Sequence, residues 1–271
     1  MSVWDFEGKT VVIAGCYSGM GEAAASELVR LGARVHGFDI RETSVALASF
    51  HTLDLGDPAS IDAAVASVDG PIDALFNCAG LPQTFPALDV MRVNFIGLRR
   101  WTEALLPKIK SGGAICSISS VAGMGWPMHV AECRELIGVN GFDEAVAWCE
   151  AHPDLVADGY SFSKETLNIY TMLMGTKFIR QGIRINATLP GPTQTPMMPD
   201  FEKHSGAALI DIFTRPINRR SSPAEQAYPV LFLNSDAASY INGHLLHVDG
   251  GFLGGVSTGE LDVQAMLAEI A

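Results

Sequence analysis

Short apolar runs alternate along the chain with longer segments in which apolar residues recur at helical spacing. The continuous runs VVIA, ALFNC and AICSI are typical of parallel strands that are covered by helices on both faces. Seven strands are predicted, at residues 10–14, 34–39, 51–54, 72–78, 114–119, 184–189 and 245–248. Because parallel strands need right-handed crossovers, the pattern predicts a doubly wound α/β sheet, which is a three-layer α/β/α (Rossmann) fold.

The segments between the strands predict helices, and two of these segments are longer than a crossover needs. Helical spacing covers residues 22–31, 58–68, 88–109, 160–180 and 224–233. Residues 124–159, which include a helical stretch at 142–151, and residues 190–222 each follow the carboxyl end of a strand, where open α/β sheets bind ligands. We interpret both as substrate-side insertions in a single domain that spans residues 1–271.

Charge and cysteine content narrow the possible partners. The formal net charge is −12, with only 18 Lys and Arg, so the chain should repel nucleic acids and anionic membrane surfaces. The five cysteines include no CxxC pair, the stretch MSVWDFEGKT lacks an apolar signal segment, and we expect a cytoplasmic protein. His244 and His247 would face opposite sides of a strand, so no metal site is predicted.

A glycine-rich turn, AGCYSGMG, joins the first strand to the first helix. Gly15, Gly19 and Gly21 allow a sharp turn and a close approach to a pyrophosphate, for which the helix N-terminus supplies N–H donors. Asp39 ends the second strand 18 positions after Gly21, where a carboxylate can accept the ribose hydroxyls and repel a 2′-phosphate. Arg41 is the one nearby cation, and the turn itself has none, so the pattern predicts NAD rather than NADP.

A second motif, YSFSK, lies at the start of the predicted helix near residue 160. Tyr160 precedes Lys164 by four positions, so the two side chains share one helix face. A phenol can exchange a proton with an alcohol or carbonyl oxygen, although its ordinary pKa of about 10 is high for a base at neutral pH. We expect the Lys164 ammonium and a positive nicotinamide to lower this pKa. The pair indicates hydride transfer between a nicotinamide and a carbon that bears oxygen.

Together these motifs resemble those of the short-chain dehydrogenase/reductase family over nearly the whole chain. The turn has the family spacing GxxxGxG, with Ala14 in place of the usual threonine. The resemblance implies a catalytic group of Asn94 in VNFIG, Ser120 in ISSVAG, Tyr160 and Lys164. It implies that Ser120 holds the substrate oxygen near Tyr160, that Lys164 holds the nicotinamide ribose, and that Asn94 positions a water linking Lys164 to solvent.

The resemblance also implies a cofactor site for NAD at the carboxyl ends of the strands. Asn77 in NCAG is expected to support the sheet and to line the adenosine site. The full predicted set is Gly15, Ser18, Gly19, Met20, Gly21, Asp39, Asp54, Leu55, Asn77, Ala79, Gly80, Tyr160, Lys164, Pro190, Gly191, Thr193 and Thr195.

The first insertion places Ser120 and Tyr160 40 positions apart, whereas most members of the family place them about a dozen apart. This insertion resembles the branch of 3α-hydroxysteroid dehydrogenase/carbonyl reductase and coniferyl alcohol dehydrogenase. The resemblance implies a small hydrophobic alcohol or ketone as substrate, with Trp126, Met197 and Met198 in the predicted pocket. The alternative is that such apolar side chains form the small core of the insertion.

Two other functions stay open. One is a catalytically silent NAD-sensing protein, which the intact Ser120, Tyr160 and Lys164 disfavour. The other is a nucleotide-sugar epimerase or dehydratase, a class that is usually longer and has a different glycine spacing and a second lobe. Because the first insertion interrupts the region beside the usual tetramer interface of the family, a homodimer or an unusual homotetramer is expected.

Overall fold

Seven strands form one parallel sheet in the structure, a computed structural model that describes residues 4–270, so both ends of the predicted unit 1–271 lie outside the described residues. The strands are β1 (Thr10–Ala14), β2 (Arg34–Asp39), β3 (Ser49–Thr52), β4 (Ile72–Asn77), β5 (Ile109–Ile118), β6 (Arg184–Pro190) and β7 (Leu245–Val248). Their spatial order is β3-β2-β1-β4-β5-β6-β7. The predicted doubly wound sheet is confirmed, and its direction of growth reverses between β1 and β4.

Helices cover both faces of this sheet and give the three predicted layers. They are α1 (Gly19–Arg30), α2 (Pro58–Ser67), α3 (Ala87–Met91), α4 (Leu98–Leu105), α5 (Val130–Gly138), α6 (Phe142–Ala151), α7 (Pro153–Val156), α8 (Tyr160–Phe178), α9 (Met198–Ser205), α10 (Ala207–Ile212), α11 (Pro223–Asn234), α12 (Phe252–Thr258) and α13 (Val263–Ala268). Helices α1 and α11 pack on one face, and α2, α4 and α8 pack on the other. Among the helices of residues 4–270, none is long and apolar enough to cross a bilayer.

The core is divided by the sheet, as the alternation of side chains along a strand requires. Val11 and Ile13 of β1 belong to the apolar cluster under α1 and α11. Val12 and Ala14 belong to the cluster on the other face, which also contains Trp101 of α4. The apolar runs that predict the strands are therefore apolar because both of their faces are covered.

Several predicted boundaries were wrong; the first helix, for example, begins at Gly19 rather than at residue 22. The third strand covers Ser49–Thr52 rather than residues 51–54, because Leu53 is buried in the loop that follows the strand. The predicted helix at 88–109 is interrupted by a π-helical turn at Arg92–Gly97 and ends at Lys108. The fifth strand begins at Ile109 rather than at residue 114, because it resumes pairing with β4 across a register shift.

The first insertion forms a helical cover over α8. Helices α5, α6 and α7 bury Leu136, Val146 and Val156 in the core cluster that they share with α8. The indole of Trp148 stacks on the ring of Phe162, with ring centroids 6.1 Å apart. The second insertion contains α9 and α10.

Arg99 of α4 anchors the first insertion. Its side chain is buried, and its guanidinium donates hydrogen bonds to the carbonyl oxygens of Leu136, Ile137 and Val139 at 3.2, 3.0 and 2.8 Å. The last carbonyl groups of a helix lack partners within the helix, so Arg99 satisfies the carboxyl end of α5. The sequence gives no sign of this role, because Arg99 stands there simply as the first of two adjacent arginines.

Arg99→Met should lower the free energy of unfolding by about 2–4 kcal/mol, because the three carbonyl oxygens at the end of α5 lose the donors that the guanidinium supplies. Urea denaturation measures this change. The matched control is Arg100→Met, since Arg100 pairs with Asp62 at 2.7 Å on the surface and should contribute less than about 1 kcal/mol. Equal losses in the two variants would contradict the anchoring role.

Candidate active site

A cavity of about 300 Å³ opens at the carboxyl ends of the central strands. Its walls come from the first turn of α1, the loop after β4, the segment after β5, the start of α8, the loop after β6, and α9 with α10. The predicted site residues that line it are Met20, Ser120, Tyr160, Pro190, Gly191, Thr193, Thr195, Met197 and Met198. The fold therefore brings residues from six separate segments to one cavity.

Ser120 and Tyr160 meet at this cavity. The Ser120 hydroxyl accepts a hydrogen bond from the Ala122 N–H at 3.1 Å, which fixes it at the first turn after β5. Burial raises the pKa of Tyr160 to about 12, while the hydrogen bond with Ser120 lowers it and the charge of Asp158 raises it. The phenol is therefore neutral at pH 7 and is suited to donate a proton.

Lys164 lies beside Tyr160 inside the protein. Its ammonium donates a hydrogen bond to the Ile118 carbonyl oxygen at 3.0 Å and lies 5.7 Å from the centroid of the Tyr160 ring. Burial lowers the pKa of Lys164 to about 8. From the sequence we expect Lys164 to lower the pKa of Tyr160. In this structure, burial of the phenol has the largest effect and raises this pKa, and the group that lowers it is Ser120.

Asn94 is buried in the π-helical turn, a distortion that often occurs at functional sites. Its Oδ1 accepts from the Leu81 N–H at 2.7 Å, and its Nδ2 donates to the Leu81 carbonyl oxygen at 3.0 Å. A Cβ atom at Gly80 would lie 3.2 Å from Asn94 Oδ1 and 3.8 Å from Lys164 Nζ. The Asn94 amide thus holds the segment after β4 against Lys164.

The glycine turn leaves no room for a side chain at its glycine positions. Gly15 and Gly19 have φ angles of +87° and +64°, which favour glycine. A Cβ at Gly15 would overlap the backbone nitrogen of Ala79, and one at Gly21 would overlap the Gly15 carbonyl oxygen. The Ser18 side chain makes no capping hydrogen bond, so the first N–H groups of α1 can receive an anion.

Asp39 lies next to this turn at the end of β2. Its carboxylate accepts hydrogen bonds from the N–H groups of Tyr17 at 2.9 Å and Arg41 at 3.2 Å. The Arg41 guanidinium lies 5.4 Å from the centroid of the Tyr17 ring. The shallow glycine surface, the free helix N-terminus and the fixed carboxylate together fit a dinucleotide with an unmodified adenosine ribose.

Several predicted cofactor residues have buried side chains, among them Asn77 and Leu55. Asn77 is 1% exposed, and its Nδ2 donates to Thr102 Oγ1 at 3.0 Å and to Ser117 Oγ at 3.2 Å, so its side chain braces the sheet. The Leu55 side chain is 3% exposed and lies in the core. Asp54 is exposed, and its Oδ1 accepts from the Gly56 N–H at 2.7 Å.

The structure places the predicted pocket residue Trp126 outside the lining of this cavity. Trp126 does not line the cavity, because the helical turn at Val121–Met128 packs along α8 and directs the indole toward the main core cluster. Met197 and Met198 do line the cavity, from the second insertion. The sequence analysis missed Gln83 and Asp158, which line the cavity from loops that carry no recognisable motif.

Known proteins resemble this chain in sequence and in overall fold. The family described as short chain dehydrogenase matches residues 9–147, and the family described as Enoyl-(Acyl carrier protein) reductase matches residues 153–253. The chain is 35% identical over 244 residues to a coniferyl-alcohol dehydrogenase from Pseudomonas sp. (strain HR199 / DSM 7063), with 90% of this chain and 96% of the relative covered. The chain belongs to the short-chain dehydrogenase family.

Two further relatives of this short-chain dehydrogenase confirm the predicted branch. A 3-alpha-hydroxysteroid dehydrogenase/carbonyl reductase from Comamonas testosteroni is 32% identical over 250 residues, with 89% of this chain and 95% of the relative covered. The crystal structure of the 3-alpha-hydroxysteroid dehydrogenase from Pseudomonas sp. B-0831, complexed with NADH, matches with a TM-score of 0.79 at 26% identity, covering 93% of this chain and 100% of that chain.

Burial of Lys164 predicts a pH-dependent stability of this short-chain dehydrogenase. Burial lowers the pKa of Lys164 to about 8 from 10.5, so the unfolded chain binds more protons than the folded chain between these values. The contribution of Lys164 to the free energy of unfolding is therefore most favourable above pH 10.5, and this stability is lost as the pH falls through 8. Urea denaturation of the wild type and of Lys164→Met between pH 7 and 10.5 should show that the wild type gains up to about 3 kcal/mol relative to the variant as the pH rises.

Lys203→Met, which removes an exposed lysine from α9, controls for the loss of a lysine as such. A difference between wild type and Lys164→Met that stays constant with pH would contradict the effect of burial on Lys164.

Proposed function

We propose that this protein is an NAD(H)-dependent alcohol dehydrogenase and ketone reductase, which interconverts a hydrophobic alcohol and its carbonyl compound through Ser120, Tyr160 and Lys164. One observation carries the proposal: Ser120 and Tyr160 line the same cavity, and Lys164 is buried beside the phenol. Membership of the short-chain dehydrogenase family supports it, as do the alcohol dehydrogenases among the relatives.

The residues around the glycine turn are those that would hold the cofactor. The N-terminus of α1 with Ser18 would receive the pyrophosphate, and Asp39 would accept the adenosine ribose hydroxyls and repel a 2′-phosphate. Thr195 approaches the turn, since its Cγ2 lies 3.3 Å from a Cβ built at Gly19, and with Pro190 it would flank the nicotinamide. The bound nicotinamide would supply or accept the hydride.

Side chains of the protein would carry out the proton transfer. In the reduction, the neutral Tyr160 phenol donates its proton to a carbonyl oxygen that Ser120 holds by a hydrogen bond. The Lys164 ammonium stabilises the phenolate that remains. Lys164 is charged at pH 7, because its pKa is about 8. In the oxidation, the same groups act in the opposite order, and Tyr160 receives the proton of the alcohol.

The cavity walls favour a hydrophobic substrate. Met197, Met198, Phe201, Leu209 and Phe213 all line the cavity from the second insertion. The Phe201 ring packs against the edge of Tyr160, with ring centroids 5.1 Å apart. An alcohol with a ring or another bulky apolar group would bury this surface. Such a substrate agrees with both relatives, of which one is named for coniferyl alcohol and the other for a hydroxysteroid.

The proposal extends to the oligomeric state and to the cellular compartment of the protein. Helices α5 to α7 cover the outer side of α8 and bury Leu136, Val146 and Val156 there, so this side is occupied by the chain itself. We therefore propose a homodimer rather than the usual tetramer of the family. The five cysteines are free thiols, which fits a reducing cytoplasm.

Tyr160→Phe should lower turnover of a hydrophobic alcohol by about 10²–10⁴-fold, because the variant lacks the group that exchanges the proton. Its affinity for NADH should stay within a few-fold of wild type, since the phenyl ring keeps the packing against Phe201. Turnover is followed by nicotinamide absorbance and binding by NADH fluorescence. Tyr240→Phe, at a fully exposed tyrosine, is the control and should retain wild-type turnover.

Near-wild-type turnover in Tyr160→Phe would rule out Tyr160 as the proton donor. NADH binding by the wild type without turnover of any alcohol or ketone would instead support a silent NAD-sensing protein.

A further inference from the structure

Helices α9 and α10 form one wall of the cavity, and both are short. Helix α9 has eight residues and α10 has six, with Gly206 between them. Isolated helices of this length are marginal in water, so their position depends on contacts with the rest of the protein. They supply the cavity with Met198, Phe201, Leu209 and Ile210. The contacts that fix α9 and α10 therefore also fix the apolar surface that a substrate would meet.

Arg220 joins these two helices through its guanidinium. Its Nη1 donates a hydrogen bond to Glu202 Oε1 of α9 at 2.6 Å, and its Nε and Nη2 each lie 2.9 Å from Asp211 Oδ1 of α10. The Arg220 side chain is 19% exposed, compared with 53% for the neighbouring Arg219. Hydrogen bonds between charged groups are strong, and partial burial reduces their screening by salt. Arg220 thus holds α9 and α10 together.

The backbone beside Arg220 is fixed to the loop after β6. The Ser221 N–H donates to the Pro192 carbonyl oxygen at 3.0 Å, and the Gln194 N–H donates to the Ser221 carbonyl oxygen at 2.8 Å. The hydroxyl oxygens of Thr193 and Ser221 lie 2.9 Å apart. Pro192 and Thr193 line the cavity, on the side that would hold the nicotinamide under the proposed function. Arg220 therefore connects the cofactor side of the cavity with its apolar wall.

The effect of Arg220 on α9 extends to the ring of Tyr160. Phe201 directly precedes Glu202, and its ring meets the Tyr160 ring at 71°, with the two centroids 5.1 Å apart. Two other polar contacts at the end of α9, made by Ser205 and His204, are longer, at 3.4 and 3.8 Å. Of these three contacts, the ion pair between Glu202 and the guanidinium has the shortest distance and should contribute most to the position of Phe201.

We infer, on the basis of the proposed function, that Arg220 is a positioning residue that sets the preference of the enzyme for bulky apolar alcohols. Through Glu202 and Asp211 it holds the apolar side chains of α9 and α10 against the part of the substrate that extends away from the reacting carbon. Arg220 does not itself line the cavity, so it acts on the substrate through these helices. A small alcohol that occupies just the space near Tyr160 would not depend on Arg220.

The test compares cinnamyl alcohol with allyl alcohol in the wild type and in Arg220→Met. Both substrates carry the same allylic CH2OH group, and they differ in the phenyl ring, which would lie against α9 and α10. The ratio of kcat/KM for cinnamyl alcohol to that for allyl alcohol should fall about tenfold in Arg220→Met, mainly through a higher KM for cinnamyl alcohol. The kcat for allyl alcohol and the affinity for NADH should stay close to wild type. A variant that is merely less stable would lose activity with both alcohols in parallel.

Further variants assign the effect to the ion pairs. Glu202→Gln and Asp211→Asn each remove one charged partner, so each should produce part of the fall in the ratio. Arg220→Lys keeps the charge but lacks the planar guanidinium that bonds to both carboxylates, so it should restore the ratio in part. Arg219→Met is the matched control, because Arg219 pairs with Glu225 of α11 at 2.6 Å on the surface. It should keep the wild-type ratio.

Hydrogen exchange followed by mass spectrometry tests the role of Arg220 without turnover. In Arg220→Met, the amides of residues 198–213 should exchange at least about tenfold faster than in the wild type, because opening of α9 and α10 no longer breaks the ion pairs. The amides of α8 should exchange at the wild-type rate. Arg219→Met should leave both segments unchanged.

Unchanged exchange in Arg220→Met, or a wild-type ratio in this variant while both alcohols are turned over, would overturn this inference and leave the proposed function intact. Absence of turnover of both alcohols by the wild type, with NADH bound, would overturn the proposed function and the role of Arg220 in substrate preference with it.

Discussion

The burial of an ammonium group beside a phenol is the constraint on which the site depends. Removing Lys164 from water disfavours its charged form, and the Ile118 carbonyl oxygen compensates only in part through one hydrogen bond. The same low-polarity surroundings keep Tyr160 neutral, with a pKa raised to about 12. A neutral phenol and a buried cation are thus held side by side, and under the proposed function the cation would offset the charge that proton transfer leaves on the phenol.

The fold supplies this arrangement through the ends of its strands. The end of β5 carries Ile118 and then Ser120, while α8 begins with Tyr160 and places Lys164 one turn later. The sheet reverses its direction of growth between β1 and β4, where the backbones of Gly15 and Ala79 come close together. Open α/β sheets form their ligand crevice at such a reversal, so the cofactor surface and the proton donor share one edge of the sheet.

Much of this could be predicted from the sequence, because runs of buried strand residues and glycine turns are local patterns. Tyr160 and Lys164 share a helix face through their spacing alone. Other features depend on contacts between distant segments. The π-helical turn at Asn94, the carboxyl-end cap by Arg99 and the inward packing of Trp126 have no local signal. Gln83 and Asp158 reach the cavity only because α9 folds back over two separate loops.

The central claim is that hydride passes between a nicotinamide and a carbon whose oxygen receives its proton from Tyr160. The most direct measurement is the reduction of cinnamaldehyde with NADH that carries deuterium at either face of C4, with the product analysed by mass spectrometry. We expect one of the two labelled forms to yield cinnamyl alcohol with a single deuterium on the carbinol carbon. Failure of both labelled forms to transfer deuterium, with NADH bound to the protein, would contradict the account.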